Sequence, residues 1–429
     1  MEYKLSVFNI NLKSENYEGI ESDTLYYNVI SGKFAEIPAD VNMDNPPQKL
    51  ITDGFVVPED VDETENYANA QKKAIADEYP SNIRITVCPT MACNYQCEYC
   101  FEHHKSNHSM DAELIADTIN YIKTEIDRNP NLKSFGIKWF GGEPLMNIKA
   151  IEQISEFVID YCKQRNIKYS AIIITNGYFY TREVSERLKA LKVQSVQIAI
   201  DGFADDYAKV RQVSKDAYSR VLQNIESSVI PVIVRINVNR QNKDIIPELV
   251  RELSKLPSVQ SGFNRIMVAR VKEYCKSLTY GFTDEEWLDF RKCYKEIQDV
   301  LPTILEPSTL FPCGHIQKRN IIISADGLLY RCDNHIGNNN YVIGSLKEGI
   351  RVNNIDNAYV CSTITEDCKS CKYLPICAGG RCRYEELYQG KNCLLILERF
   401  RQNMQNYIRY AGISKEKSPN KHGSMLPLK

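Results

Sequence analysis

Residues 83–100 read IRITVCPTMACNYQCEYC, a run rich in β-branched residues followed by three closely spaced cysteines. The run IRITV is typical of a buried strand, and Cys93, Cys97 and Cys100 follow it within one short stretch. Iron–sulfur cubes and tetrahedral zinc sites usually take four protein ligands. The spacing therefore predicts a metal site with three cysteine ligands and either an open coordination position or a fourth ligand from elsewhere.

The same alternation of β-rich runs and amphipathic helical patterns continues to about residue 271, which predicts an α/β fold with a parallel sheet. The strand candidates are IRITV (83–87), FGIKWF (135–140), AIIIT (171–175), VQIAI (196–200), VIVRINV (232–238) and RIMVARV (265–271). One of the helical patterns is KDIIPELVRELSKL (243–256), with apolar residues on one face. Six such repeats predict an open sheet or a partial (β/α)6 barrel of TIM type.

Motifs rich in polar residues or glycine follow the first four strand candidates. They are CNYQCEYC (93–100), GGEP (141–144), TNG (175–177) and DG (201–202). Ligands bind at the carboxyl ends of the strands in both barrels and open parallel sheets. We therefore expect all four motifs on one rim of the sheet.

The rest of the chain differs from this repeat. Residues 1–80 predict a small accessory α+β domain that includes a hairpin at 24–37 with Ser-Gly at its turn. Residues 81–300 hold the predicted barrel. Periodicity fades after residue 300 while cysteine and glycine become frequent, so we expect a metal-held domain at 301–400 and a C-terminal helix and tail at 401–429.

The bulk composition limits the classes of partner. The 429 residues are 43% hydrophobic and 25% charged with a net charge of −2, which gives no electrostatic case for a nucleic-acid partner. The sequence contains neither a long uninterrupted apolar run nor a signal-peptide core, so we expect a cytoplasmic protein without a membrane partner.

Fifteen cysteines are unusual for a cytosolic protein, because thiols stay reduced there and disulfides do not account for them. Metal binding is the leading explanation. The cysteines outside the two main groups are expected in the core or on the surface, and these are Cys88, Cys162, Cys275 and Cys293.

CNYQCEYC resembles the CxxxCxxC motif of radical S-adenosylmethionine (SAM) enzymes, and GGEP resembles the cofactor-binding motif of that superfamily. The resemblance implies a 4Fe-4S cluster on Cys93, Cys97 and Cys100, with one iron open to S-adenosylmethionine. Cleavage of this cofactor gives a 5'-deoxyadenosyl radical. The alternative is a zinc site completed by one of the nearby histidines, which are His103, His104 and His108.

The remaining rim residues have chemistry suited to this cofactor. Gly141 and Gly142 lie in the same motif as Pro144 and would let backbone approach a ligand closely. Glu143 can accept a hydrogen bond from the ammonium group of that ligand. By resemblance Tyr99 lies near the adenine. The other candidates for the cofactor or substrate are Asn176, Asp201, Arg235 and Asn237, where the last two could also form a purely structural pair. Ala199 stands where relatives often have a hydroxyl residue.

The C-terminal cysteines resemble the SPASM extension of radical SAM peptide and protein maturases. By this resemblance one auxiliary 4Fe-4S cluster would be held by Cys368, Cys371, Cys377 and Cys393, and a second by Cys313, Cys332 and Cys382. Four residues separate Cys377 from Cys382 where the pattern has three, and the upstream cysteine of sulfatase-maturating relatives is replaced near Pro307. Cys361 could complete the second set, or its iron could bind a substrate thiolate. Two zinc knuckles are the alternative.

The resemblance implies an oxidoreductase that installs a thioether crosslink in a ribosomally made, cysteine-containing precursor peptide. An electron donor such as a flavodoxin or ferredoxin would be a further partner. The alternatives are an anaerobic sulfatase-type maturase that oxidises Cys or Ser to formylglycine, with Asp333 as its catalytic residue, another peptide crosslink, or a zinc-binding scaffold protein. Residues 1–80 would either bind a leader peptide along a strand edge or serve as a structural cap.

Overall fold

The computed structural model describes residues 2–100, 106–271, 281–294, 296–297, 300, 305, 307–380 and 393–411. The contacts divide the chain into two compact units. Unit 1 draws on residues 1–75, 301–314 and 361–429, and unit 2 on residues 76–300 and 315–360. The division into four domains at residues 80, 300 and 400 stays a prediction. Cys275, His103, His104 and Cys382 lie outside the described residues.

The N-terminal part of unit 1 is built from short strands. These are β1 (Tyr3–Leu5), β2 (Asn9–Asn11), β3 (Leu25–Asn28), β4 (Lys33–Glu36) and β5 (Val56–Pro58), with helices α1 (Gln48–Thr52) and α2 (Glu63–Ala76). β3 and β4 form the predicted hairpin, β2 pairs with β3, and β1 pairs antiparallel with β5. Gly32 has a φ of +67° at the hairpin turn, a conformation that glycine adopts without strain.

Unit 2 contains the predicted parallel sheet. Its strands are β6 (Asn82–Val87), β7 (Ser134–Trp139), β8 (Lys168–Thr175), β9 (Val193–Ala199), β10 (Val232–Val238) and β11 (Arg265–Arg270), adjacent in chain order. The helices are α3 (Ala112–Asp127), α4 (Ile148–Gln164), α5 (Arg182–Ala190), α6 (Ala204–Arg211), α7 (Asp216–Glu226), α8 (Ile246–Leu253), α9 (Pro257–Gln260) and α10 (Asp284–Cys293). This confirms the α/β repeat. The helix expected at 243–256 is present but shorter, as α8, and α9 begins beyond the expected range.

The sheet does not close on itself. The outer edge of β6 pairs in parallel with β12 (Ile322–Ile323), which is followed by antiparallel β13 (Leu328–Tyr330), β14 (Gly344–Ser345) and β15 (Gly349–Ile350). Because β12 takes the edge where β11 would complete a barrel, the six parallel strands form an open, partial barrel. The helix α11 (Asn354–Tyr359) follows these strands. None of the helices within the described ranges has the length and apolar character needed to cross a bilayer.

The C-terminal segments complete the core of unit 1. They include α12 (Leu374–Cys377) and α13 (Cys393–Ala411). Phe8 and Tyr27 from the N-terminal strands share one hydrophobic cluster with Tyr373 and with Phe400 of α13. Burying apolar surface in this way is the main stabilising contribution to a fold. The two ends of the chain therefore depend on each other for a common core.

The Phe400→Ala substitution is expected to destabilise the protein strongly, because Phe400 is 1% exposed in this cluster. Large-to-small substitutions at such sites cost about 3–5 kcal/mol. The same substitution at Phe263, whose side chain is 42% exposed, serves as the control and should change stability little. Thermal unfolding followed by circular dichroism measures both, and equal melting temperatures for the two variants would contradict the assignment of this core.

Candidate functional site

The structure places the four rim motifs at the carboxyl ends of adjacent strands. The three-cysteine stretch follows β6, GGEP follows β7, and TNG and DG follow β8 and β9. Neighbouring strands in this set pair in parallel. The expectation that the motifs share one rim is therefore confirmed.

The GGEP loop lies directly against the start of the three-cysteine loop. The backbone N–H groups of Gly142 and Glu143 donate to the carbonyl oxygens of Thr90 and Ala92, at 3.1 and 2.9 Å. A Cβ at Gly141 would lie 2.4 Å from the Thr90 oxygen, and one at Gly142 would lie 2.3 Å from the Ala92 oxygen. Both glycines are therefore required for the contact between the two loops. Their approach to a ligand stays a prediction.

The carboxylate of Glu143 is fully buried among hydrogen-bond donors. It accepts from the Thr175 hydroxyl at 2.6 Å, from the Leu145 N–H at 3.1 Å and from the Asn176 N–H at 2.7 Å. Burial raises the pKa of Glu143 above its ordinary value, and these hydrogen bonds oppose the rise. An ammonium group arriving at the site would favour the ionised carboxylate. Pro144 begins the 3₁₀ helix that follows, Pro144–Asn147.

Asn176 connects the third rim motif to the three-cysteine loop. Its Nδ2 donates to Asn94 Oδ1 at 2.7 Å, and its Oδ1 accepts from the Tyr178 N–H at 2.9 Å. Asn94 lies between Cys93 and Cys97. In this structure Asn176 therefore supports the loop that carries the thiols, and its contact with a sugar hydroxyl stays a prediction.

A buried network links Tyr99 to the ends of the fourth and fifth strands. Oδ2 of Asp201 accepts from the Tyr99 hydroxyl and from Nη2 of Arg211, and Oδ1 accepts from the Asn237 N–H at 3.2 Å. Nη2 of Arg211 also donates to the Tyr99 oxygen at 3.0 Å. Arg235 donates from Nε to Asn237 Oδ1 at 2.8 Å. The predicted residues Tyr99, Asp201, Arg235 and Asn237 are thus brought together.

Arg211 is the member of this network that sequence reasoning missed. It is 3% exposed, its partner Asp201 is 2% exposed, and its guanidinium lies 4.7 Å from the centre of the Tyr207 ring. Its carbonyl oxygen also accepts from the Gln96 N–H at 3.2 Å. An arginine in the last turn of a helix is commonplace, because it complements the helix dipole. Only its contact with Asp201 in the folded structure identifies Arg211 as part of the site.

The three thiols are partly buried, and Cys93 and Cys100 are near enough to Cys97 to affect its pKa. Burial raises the pKa of Cys97 to about 11, Arg211 lowers it, and the neighbouring Cys100 and Cys93 raise it further. A metal centre that binds thiolates would displace these protons. The set of three thiols therefore fits an iron–sulfur cluster.

The zinc alternative requires ligands about 2.0–2.3 Å from a single ion. Across the described part of the chain, no three histidine, cysteine, aspartate or glutamate side chains are placed to hold one metal ion. His108 is exposed, and its carbonyl oxygen accepts from the Met91 N–H at 2.8 Å. The structure therefore shows no preformed zinc site among these residues.

Most of the C-terminal cysteines belong to unit 1. Burial raises the pKa of Cys371, and the neighbouring Cys368 and Cys393 raise it further. Burial raises the pKa of Cys377 to about 11, and the neighbouring Cys371 and Cys368 also raise it. The four cysteines predicted for one auxiliary cluster are thus gathered. Of the second set, Cys313 lies in unit 1 and the buried Cys332 in unit 2, and Cys361 is exposed in unit 1.

Asp333 forms an ion pair that was not predicted. Lys138 of β7 donates to its Oδ2 at 2.6 Å, and His315 Nε2 lies 3.7 Å from the same oxygen. Although burial opposes ionisation, Lys138 and His315 hold the pKa of Asp333 well below its ordinary value. Its other oxygen, Oδ1, is buried, and no described residue donates a hydrogen bond to it. Asp333 is therefore an ionised carboxylate with one buried oxygen that lacks a donor within the described part of the chain.

Residues 87–253 match the model of the Radical SAM superfamily. These residues are a radical SAM domain. The cofactors of this superfamily are a 4Fe-4S cluster and S-adenosylmethionine, and the radical SAM domain carries the three-thiol set, GGEP and the Tyr99 network that fit them. The cysteines after residue 300 lie outside the matched range.

Three individual proteins are similar to this chain over different lengths. The radical SAM cyclopropyl synthase TigE of Paramaledivibacter caminithermalis is 31% identical over 159 residues, 33% of this chain and 32% of TigE. The cysteine-type anaerobic sulfatase-maturating enzyme of Clostridium perfringens is 23% identical over 358 residues, 74% of this chain and 93% of that enzyme. The structure of anSMEcpe with bound AdoMet and Cp18Cys peptide has a TM-score of 0.55 at 18% identity, covering 77% of this chain and 97% of that chain.

These matches differ in how much of each relative they cover. The chain spans about a third of the length of TigE, and 56% and 61% of two further curated relatives. The similarity to the anSMEcpe structure shows a shared fold.

The Arg211→Lys substitution is expected to weaken S-adenosylmethionine binding by about tenfold, or about 1.4 kcal/mol. Lysine keeps the charge but loses the fork that joins Asp201 to Tyr99. Equilibrium dialysis of the anaerobically reconstituted protein measures the affinity. Arg331→Lys is the control, because Arg331 is also fully buried and pairs with Asp356 at 2.7 Å. Equal affinities in the two variants would contradict a role for the Tyr99 network in binding.

Proposed function

We propose that the protein is a radical SAM peptide maturase that installs a thioether crosslink in a cysteine-containing, ribosomally made precursor peptide. Cys93, Cys97 and Cys100 would hold the cluster, which together with S-adenosylmethionine would supply the radical chemistry that removes a hydrogen atom from the substrate. The rim residues Glu143 and Asn176 and the Tyr99 network would bind and orient the cofactor. Tyr99 lies next to Cys100 in the sequence, so its hydroxyl contacts constrain that end of the cysteine loop.

The observation that carries the proposal is the second gathered set of thiols. Cys368, Cys371, Cys377 and Cys393 lie together in unit 1, apart in sequence from the radical SAM domain. They would hold an auxiliary 4Fe-4S cluster, which can take up an electron. A thioether needs this capacity, because joining a thiol sulfur to a carbon removes two hydrogens from the peptide. One leaves as a hydrogen atom, and the other as a proton and an electron.

Asp333 is the candidate acceptor for that proton. Its carboxylate is ionised, and its buried Oδ1 has no donor among the described residues, so a substrate thiol that reached this oxygen could donate to it. The ion pair with Lys138 makes it a weak base, however, and a general base works best when its pKa is near the working pH. A substrate that draws Lys138 away from Asp333 would therefore strengthen the base.

The second candidate function is oxidation of a protein Cys or Ser to formylglycine. It is favoured by the match that covers 93% of the sulfatase-maturating enzyme and by the ionised Asp333. The missing upstream cysteine near Pro307 speaks against it. A zinc-binding scaffold, the candidate from another class, leaves the rim motifs of the radical SAM domain without a role.

Two partners follow from the proposal. A flavodoxin or ferredoxin would supply the electron that starts cofactor cleavage. A leader segment of the precursor would add as a strand to an edge of the sheet formed by β2, β3 and β4, since main-chain hydrogen bonds at a sheet edge give affinity. If a neighbouring reading frame encodes a short cysteine-rich peptide, that peptide is the natural substrate to test.

Incubation of that peptide with the reduced protein and S-adenosylmethionine is expected to yield a product two hydrogens lighter than the peptide. Its cysteine should resist alkylation by iodoacetamide, because the sulfur is bonded to carbon. Mass spectrometry of the alkylated product measures both changes. A product in which cysteine has exchanged its thiol for a carbonyl oxygen would contradict the thioether and establish the second candidate function.

A further inference from the structure

Helix α2 carries a glutamine on its buried face. The buried residues of α2 are Tyr67, Ala68, Gln71 and Ile75, which follow the spacing of an apolar helix face. Gln71 is 0% exposed. Burial of an amide is costly unless its hydrogen bonds are made, so the partners of Gln71 indicate what the residue does.

The Gln71 amide joins three separate loops of unit 1. Its Nε2 donates to the carbonyl oxygens of Ala378 at 2.7 Å and Leu310 at 3.2 Å, and to the Thr363 hydroxyl at 3.0 Å. Its Oε1 accepts from the Ser362 hydroxyl at 2.7 Å and from the Thr363 N–H at 3.1 Å. These loops carry Cys313, Cys361 and Cys377. One side chain therefore ties together the segments that hold three of the seven cysteines of unit 1.

The contact with Ala378 fixes the backbone next to Cys377. Ala378 has a φ of +54°, which is uncommon for a residue other than glycine. Its carbonyl oxygen is held twice, by Gln71 and by the Thr363 hydroxyl at 2.6 Å. The Gly380 N–H closes this turn by donating to the Cys377 carbonyl oxygen at 2.8 Å. The direction in which Cys377 is presented therefore depends on the turn at Ala378.

We propose that Gln71 is a positioning residue for the auxiliary cluster: by holding the Ala378 carbonyl, it fixes the turn that presents Cys377. Replacing a residue that orients a metal ligand typically lowers metal affinity by about 10–100-fold. The inference rests on the proposed function in one respect, that Cys377 is a ligand of an auxiliary cluster.

The test uses the full chain with Cys93, Cys97 and Cys100 all replaced by Ala, so that only auxiliary clusters contribute iron and electron paramagnetic resonance signals. Gln71→Leu is made in this background and titrated anaerobically with dithionite. The matched control is Asn28→Leu. Asn28 is also a fully buried amide of unit 1, and it bonds the Gly54 carbonyl at 2.8 Å and the Ser31 N–H at 2.9 Å, away from the cysteine loops.

Gln71→Leu should bind the auxiliary cluster about tenfold more weakly, so that its iron content and the signal of its dithionite-reduced cluster both fall. Asn28→Leu should keep the iron and the signal of the parent. Thr363→Val, which removes the second donor to the Ala378 carbonyl, should also lower both and serves if Gln71→Leu does not fold. Selective loss of the cluster in Gln71→Leu, with iron retained in Asn28→Leu, also supports the positioning role.

Unchanged iron content and signal in Gln71→Leu and Thr363→Val would overturn the inference while leaving the auxiliary cluster established. Equal losses in Gln71→Leu and Asn28→Leu would assign the effect to general destabilisation and overturn it too. If the parent background binds no iron, the auxiliary cluster itself is refuted, and the inference falls with that part of the proposed function.

Discussion

The absence of side chains at Gly141 and Gly142 is the constraint on which the rim depends. A Cβ at either position would lie within 2.4 Å of a carbonyl oxygen in the loop before Cys93, far inside van der Waals contact. With glycine at both positions, the GGEP loop donates backbone hydrogen bonds to that loop, and the Glu143 carboxylate accepts hydrogen bonds from Thr175 and Asn176. Asn176 in turn holds Asn94. Contacts from two neighbouring strands thus converge on the stretch that carries the thiols.

A second set of contacts holds the other end of that stretch. The Tyr99 hydroxyl is hydrogen-bonded to both members of the buried Asp201–Arg211 pair. Breaking such a pair leaves an uncompensated charge away from water, which costs more than the pair itself contributes. The three-cysteine loop is therefore held at Asn94 and at Tyr99 by interactions that do not involve the thiols. This leaves the thiols for the metal.

Much of this arrangement could be predicted from local sequence. β-branched runs and their spacing predicted the six parallel strands, and the rule for strand ends placed the four motifs together. The helix expected at 243–256 was partly wrong: α8 ends at Leu253 and α9 begins at Pro257, because the residue before a proline disfavours helical geometry. Arg211, Lys138 and Gln71 could not be identified, since their roles depend on distant partners. Gln71 and Ala378, for example, are 307 residues apart.

The central claim is that Cys93, Cys97 and Cys100 hold the cluster that cleaves S-adenosylmethionine. Formation of 5'-deoxyadenosine by the anaerobic, dithionite-reduced full chain tests it most directly. Cys162→Ala is the control, because Cys162 is a buried cysteine of α4 outside both sets. The account predicts that 5'-deoxyadenosine forms in the parent and in Cys162→Ala and is abolished when Cys93, Cys97 and Cys100 are replaced by Ala. Retained cleavage in the triple variant would contradict it.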